Sequence, residues 1–189
     1  QVAFFNAAGA GVYVAASAGN SGPGAGTVAS PGPWTTSVAA STHNRTGRGS
    51  VTVDGVTYNG LSYSAAVTGA RVDAADSGLP GTTAAQAAQC HAAADNGGVQ
   101  VLDPADVTGK VVFCERGGNV LVNKSLAVKQ AGGIGMVLAN TPTSANTLFA
   151  IIHSVPAVHI PFTTQAAFDA LRADVDAGAT ASIAKFTAD

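Results

Sequence analysis

The sequence predicts an α/β fold, and three observations carry that reading. Lys110-Val111-Val112-Phe113-Cys114, the stretch from Val120 to Ala131, and Gly135 to Asn140 read as strand, helix and strand in succession. Gly132-Gly133 stops the helix between them, so a parallel crossover is implied. Upstream, Val51-Thr52-Val53 and Val56-Thr57-Tyr58 flank Asp54-Gly55, the strongest short-range hairpin signal a sequence offers. The 189 residues are 47% hydrophobic and 11% charged. Against a typical charged share of roughly 25%, this describes a chain that buries a substantial core under a weakly charged surface and excludes disorder.

Taken in order, residues 1 to 10 suit the end of a helix with Phe4, Phe5 and Ala8 on one face, stopped by Gly9 or Gly11. Gly11 through Val12, Tyr13 and Val14 to Gly19 reads as a buried strand ending at Asn20. Ser21-Gly22-Pro23-Gly24 then forces a turn, so the Asn20 amide emerges at a sheet edge, where functional residues concentrate. A second strand, Trp34 to Ala40, is reached through Ser30-Pro31-Gly32-Pro33. Two strands cannot bury both faces of a parallel sheet, so this strip belongs to a larger one. Composition changes near residue 48, which divides the chain into 1–48 and 49–189. Residues 73 to 108 are small residues and turn formers, read mostly as surface loop with a short helix near Gln86. Val155 to Pro161 is a strand fenced by prolines, suited to an edge or a strand start. Thr163 or Thr164 caps a last helix with the inner stripe Phe168, Leu171 and Val175, stopped by Gly178 before a strand from Ala181 to Phe186.

Charge excludes one class of partner. A formal net charge of −2, with nine lysines and arginines and no basic cluster, gives little with which to neutralise phosphates, so nucleic acid is not expected. No run of about 18 apolar residues points to a membrane span. Gln1 to Phe5 lacks the basic flank and cleavage pattern of a signal peptide, and the chain reads as already trimmed. Cys90 and Cys114 allow one disulfide or two buried thiols. A bridge is the expectation, because the loop it closes is rich in Ala, Gly and Asp and otherwise loosely held; loop closure is worth roughly 3 kcal/mol. Asn44-Arg45-Thr46 and Asn123-Lys124-Ser125 are glycosylation triplets of a kind common by chance. Gly132-Gly133-Ile134-Gly135 precedes a strand instead of opening a helix and has no Lys-Ser/Thr after it, so it is not a phosphate loop. His153 and His159 lack metal-ligand spacing and read as edge or loop histidines. No metal site and no cofactor is expected.

GVYVAASAGNSGPG followed by SPGPWTTSVAAST, within residues 1 to 48, resembles the oxyanion-asparagine segment of subtilisin-like serine proteases. The resemblance implies that the Asn20 amide donates to the oxygen that turns negative in the tetrahedral intermediate. It also implies that Ala16, Ser17, Ala18 and Gly19 form one wall of the pocket for the side chain before the scissile bond, with Ser30, Pro31 and Gly32 at its base. Without the surrounding pattern, Asn20 would read as a residue tolerant of a left-handed turn.

Residues 50 to 189 resemble the protease-associated (PA) domain that many secreted subtilisin-like proteases carry between the oxyanion asparagine and the nucleophilic serine. VTGKVVFCERGG to KQAGGIGMVLANT (107–141) and VPAVHIP (155–161) carry that likeness, and the order of the two segments matches the insertion. A swivelling β/β/α fold is implied, with roles in substrate access, protein contacts or dimerisation. A Ser-His-Asp triad is missing. No Gly-Thr-Ser nucleophile segment occurs, and Gly-Thr follows none of His43, His91, His153 and His159. Asp76-Ser77-Gly78 looks like the family's aspartate motif but lies after the oxyanion segment and lacks the preceding apolar strand. The expectation is a non-catalytic stretch of a secreted, extracellular endopeptidase, partnered by the rest of the catalytic domain and by protein or peptide substrate, with calcium in the parent protease left open. The alternative is a free-standing peptide-binding module in which residues 1 to 48 serve as a structural strap.

Overall fold

The hairpin at Asp54-Gly55 forms as its sequence requires and begins the larger of two units. In the computed structural model, which describes residues 1–41, 47–144, 147–149, 151–177 and 179–188, strand β3 (Gly47–Val53) turns into β4 (Val56–Leu61) with Val53 opposite Val56. Asp54 and Gly55 take φ of +44° and +92°, the pair of positive values that a two-residue turn needs to match strand twist. His43, the Asn44-Arg45-Thr46 triplet and Gly178 lie outside the described residues.

The protein divides into residues 1–44 and 45–189. In the first unit, α1 (Val2–Gly9) precedes β1 (Ala15–Ser17) and β2 (Thr36–Val38), which pair in parallel with Ala15 opposite Thr36. Phe5 stacks edge-on against Trp34 at 5.2 Å. The buried strand expected over Gly11 to Gly19 is instead three residues long, and Tyr13 is 77% exposed. The physical reason is that β1 has a single strand partner among the described residues, so the apolar faces of α1, β1 and β2 have little to pack on.

In the second unit, β5 (Val67–Asp73), β6 (Val111–Glu115), β7 (Gly135–Ala139) and β8 (Ala157–Ile160) run parallel in that order. Helix α4 (Leu121–Gln130) makes the crossover from β6 to β7, and Gly132 at φ +81° ends it where only glycine is unstrained. β8 pairs with β4, and β9 (Thr180–Ile183) pairs antiparallel with both β5 and β3. Ile183 sits opposite Val51 on one side and Val67 on the other, so seven strands close into a barrel. A two-residue strand, β10 (Thr187–Ala188), adds to β3.

Alternation divides the apolar residues into two cores. Val51, Val53, Phe113, Val137, Val158 and Ile183 meet inside the ring, and Leu171 and Val175 of α5 (Gln165–Ala177) plug it. Val112, Cys114, Met136 and Leu138 point the other way, against Ala127 and Val128 of α4. Thr164 caps α5 by accepting from the Ala167 amide at 3.1 Å. Three polar clamps fasten the helix and its end to the barrel: Arg172 to Asp73 (3.0 Å) and Glu115, Tyr58 to Asp174 (2.5 Å), and Asp54 accepting from the Ala179 and Thr180 amides. Burial and the Asp174 carboxylate push the Tyr58 hydroxyl up to about 12.

Two expectations are corrected. Residues 73 to 108 are not a surface loop: Ala74, Cys90, Ala92, Leu102 and Val107 are fully buried in the outer core. They do this through helical pieces of three to five residues, including α2 (Ala84–Ala88) and α3 (Pro104–Val107), too short to show periodicity. The strand fenced by prolines is not an edge, because β8 lies between β4 and β7. Pro156 and Pro161 sit just outside it and cost the ladder no donor. His159 is therefore 2% exposed.

Candidate functional site

Backbone pairing sets Ala16, Ser17 and Ala18 against Ser37, Val38 and Ala29. Ala18 donates from its amide to the Val38 carbonyl, and its own carbonyl accepts from the Ala29 amide, both at 2.9 Å. Segments 16–19 and 29–38 thus form one bracket. Ala16 and Ala18 are half-buried, and the exposed Ser17 hydroxyl accepts from the Gly19 amide at 3.3 Å. Gly19 takes φ +85°, and a Cβ there would stand 2.9 Å from that of Ala29, so this position demands glycine on both counts. Ser30 is buried and its carbonyl accepts from the Ser37 hydroxyl. Pro31 is exposed, and Gly32 lies under the Trp34 indole, which a Cβ would meet at 2.7 Å. Asn20 follows Gly19 directly and is exposed.

Chemistry of another kind occupies the second unit. An open cavity of about 600 Å³ lies at the C-terminal ends of β6 and β7, the end of parallel strands where ligand sites usually form. Glu115 to Gly118 and Thr141 to Ser144 line it together with Gln89 and Phe168. Arg116 donates to Asn140 Oδ1 (3.3 Å) and the Thr147 carbonyl (2.7 Å), and stacks over Phe149 at 5.2 Å. The Gln89 carboxamide accepts from the Gly118 amide at 3.1 Å, and a Cβ on Gly117 would strike it. The Cys90–Cys114 disulfide forms and pins the Gln89 wall to the end of β6.

Beneath that wall lies a group which sequence reading passed over. Lys124, seen only as the middle of a glycosylation triplet, is fully buried and donates to the Gln89 carbonyl (2.6 Å) and to Asn119. Burial lowers its ammonium to about 7, against the partial support of Asp95 and Glu115. Asp95 in turn accepts from Asn119 (3.0 Å) and Asn123 (2.7 Å), which hold its carboxyl below the usual range despite desolvation. The Asn123 triplet is thus helical and engaged in the fold. No sequence signal marks a buried lysine, since lysine is among the residues least often buried.

The histidines build no triad among the described residues. His153 Nδ1 lies 3.1 Å from Ser125 Oγ, but that hydroxyl is fully buried, donates to the Val122 carbonyl and accepts from the Ser154 amide. It is not placed as a nucleophile. His159 Nε2 donates to Asn140 Oδ1 at 2.7 Å, while its Nδ1 is buried without a partner among the described residues. Asp76-Ser77-Gly78 is also structural, because Ser77 is buried and donates to the Asp73 carbonyl. No group of three or more His, Cys, Asp or Glu side chains among the described residues could hold a metal ion.

A closed barrel of parallel and antiparallel strands, with helix α4 outside it and α5 plugging it, defines the second unit as an α/β module. Residues 65–171 match the PA domain family, and the chain belongs to it. It is similar to two subtilisin-like proteases of Arabidopsis thaliana. The identity to SBT1.6 is 36% over 156 residues (81% of this sequence, 19% of that protein), and to SBT1.4 it is 38% over 159 residues (82% and 19%). The protein therefore spans about a fifth of the length of these relatives. Among solved structures it resembles the psychrophilic subtilisin-like protease Apa1 of the Antarctic psychrotroph Pseudoalteromonas sp. AS-11, with a TM-score of 0.47 and 17% identity over 97% of this chain and 49% of that one. By the family match and the Arabidopsis relatives, the chain is similar to the stretch of subtilisin-like proteases that carries a PA domain.

Proposed function

We propose that this chain is the stretch of a secreted subtilisin-like endopeptidase that supplies the oxyanion donor Asn20 and lines the adjoining specificity pocket with Ala16 to Gly19 and Ser30 to Gly32. Its PA domain governs substrate access or protein contacts through the cavity between Gln89, Arg116 and Thr141, and residues 1–189 alone are not catalytic. The observation that carries the reading is the surface of the first unit. Helix α1 has no buried residue, and Val2, Phe5, Val12, Tyr13 and Val38 are all more than half exposed. Asn6 is the one polar side chain of α1, and a helix so nearly apolar all round, with large apolar side chains left exposed, suits an interior face made to be covered. The rest of a catalytic domain is the cover this reading supplies. The disulfide supports an oxidising compartment.

The test is Asn20→Ala in the complete protease. The expected result is a fall in kcat with KM little changed, by roughly the hundred- to thousandfold that loss of the oxyanion asparagine costs subtilisin. Unchanged kcat would sink the oxyanion role. Serine-reagent-sensitive peptide hydrolysis by residues 1–189 alone would sink the non-catalytic reading.

A further inference from the structure

The sequence holds two Asn-Gly pairs, Asn59-Gly60 and Asn96-Gly97, in opposite backbone settings. Gly60 belongs to β4, opposite Gly49, and is pressed against β8 so closely that a Cβ would stand 2.3 Å from the His159 carbonyl oxygen. Gly97 and Gly98 form an exposed turn at φ +62° and +90°, where a Cβ would meet nothing within 4 Å. A glycine after asparagine leaves its backbone nitrogen unshielded and its dihedrals free, which is what ring closure onto the preceding carboxamide requires. At Asn96 the carboxamide oxygen that turns negative on attack accepts from Gln86 Nε2 at 2.8 Å.

We infer that Asn96 is a site of spontaneous deamidation in the folded protein and that Asn59 is not. The Gly97 amide nitrogen attacks Asn96 Cγ, the Cγ–Nδ2 bond breaks, and ammonia leaves with the transferred proton to give a succinimide. One water then opens the ring at either carbonyl, giving aspartate or isoaspartate. The Asn96 Nδ2 donor to the Val99 carbonyl (3.1 Å) is lost, and a carboxylate takes its place next in sequence to Asp95, the residue that holds Asn119 and Asn123. The turn at 96–99 loosens as a result.

The full-length protein is incubated at mildly alkaline pH, folded and in denaturant, and both peptides are followed by mass spectrometry with isoaspartate detection. In the folded protein Asn96 converts while Asn59, whose ring closure needs β4 to leave the barrel, is slower by about a hundredfold or more. In denaturant the two convert at similar rates. Folded-state conversion of Asn59 as fast as that of Asn96, or an Asn96 that converts only in denaturant, overturns the inference.

Discussion

Acid should unfold the PA domain through His159. Its ring is 2% exposed, its Nε2–H is spent on Asn140 Oδ1, and a proton added to Nδ1 would find no acceptor among the described residues. Desolvation, with the Arg116 and His153 charges nearby, lowers it from 6.5 to about 4. The sign follows from which state binds the proton. Above pH 6.5 both folded and unfolded states hold a neutral imidazole and the group is silent. Between about 6.5 and 4 the unfolded state takes up a proton that the folded state refuses, so stability falls with pH and the full loss is reached near pH 4. At about 1.36 kcal/mol for each pH unit that separates the two values, the loss is about 3 kcal/mol, a large share of a domain's net stability. His153 and His91, both lowered chiefly by burial, act in the same direction. The assay is urea unfolding at pH steps from 4 to 8 for the wild type and for His159→Gln, which can still reach Asn140 but does not titrate. The variant starts less stable and has a shallower decline below pH 6.5. Identical slopes in both proteins would refute the argument.

Two further outcomes follow from the wall of the cavity. Replacing both cysteines, Cys90→Ala with Cys114→Ala, removes a bridge of sequence separation 24 and costs about 3 kcal/mol by loop-closure entropy, read as a lower urea midpoint. For Lys124 the folded state gives up its proton near pH 7 and the unfolded state near 10.5. Stability therefore rises with pH across that window, and Lys124→Met abolishes the rise, as pH-stepped melts would report.

What was legible in the sequence was what local chemistry dictates. Asp54-Gly55 specifies its turn by two positive φ values, and Gly132 specifies the end of α4, so the hairpin and the crossover could be placed without the fold. Closure of the barrel could not, because it depends on β9 pairing with strands that begin at Gly47 and Val67, far away in sequence. The burial of residues 73 to 108 escaped for a related reason: small residues in short turns show no period, and they are held inward by Cys114 from another strand. His159 was misjudged because its flanking prolines suggested an edge, although they fall just beyond the ladder. In the first unit the positions of Asn20, Ala16 to Gly19 and Ser30 to Gly32 were read through a family resemblance. Of those positions, backbone hydrogen bonds tie Ala18 to Val38 and Ala29.

The short pairing of β10 with β3 sets how the PA domain can be carried. Ala188 stands opposite Gly47 in one antiparallel ladder, so the backbone that leads into the barrel and the backbone that leads out are separated by about 5 Å. A module whose two ends lie side by side can hang from two adjacent threads. A host surface loop could be opened at one peptide bond and receive it with little separation of the cut ends, which spares the host the strain of an insertion whose ports lie far apart.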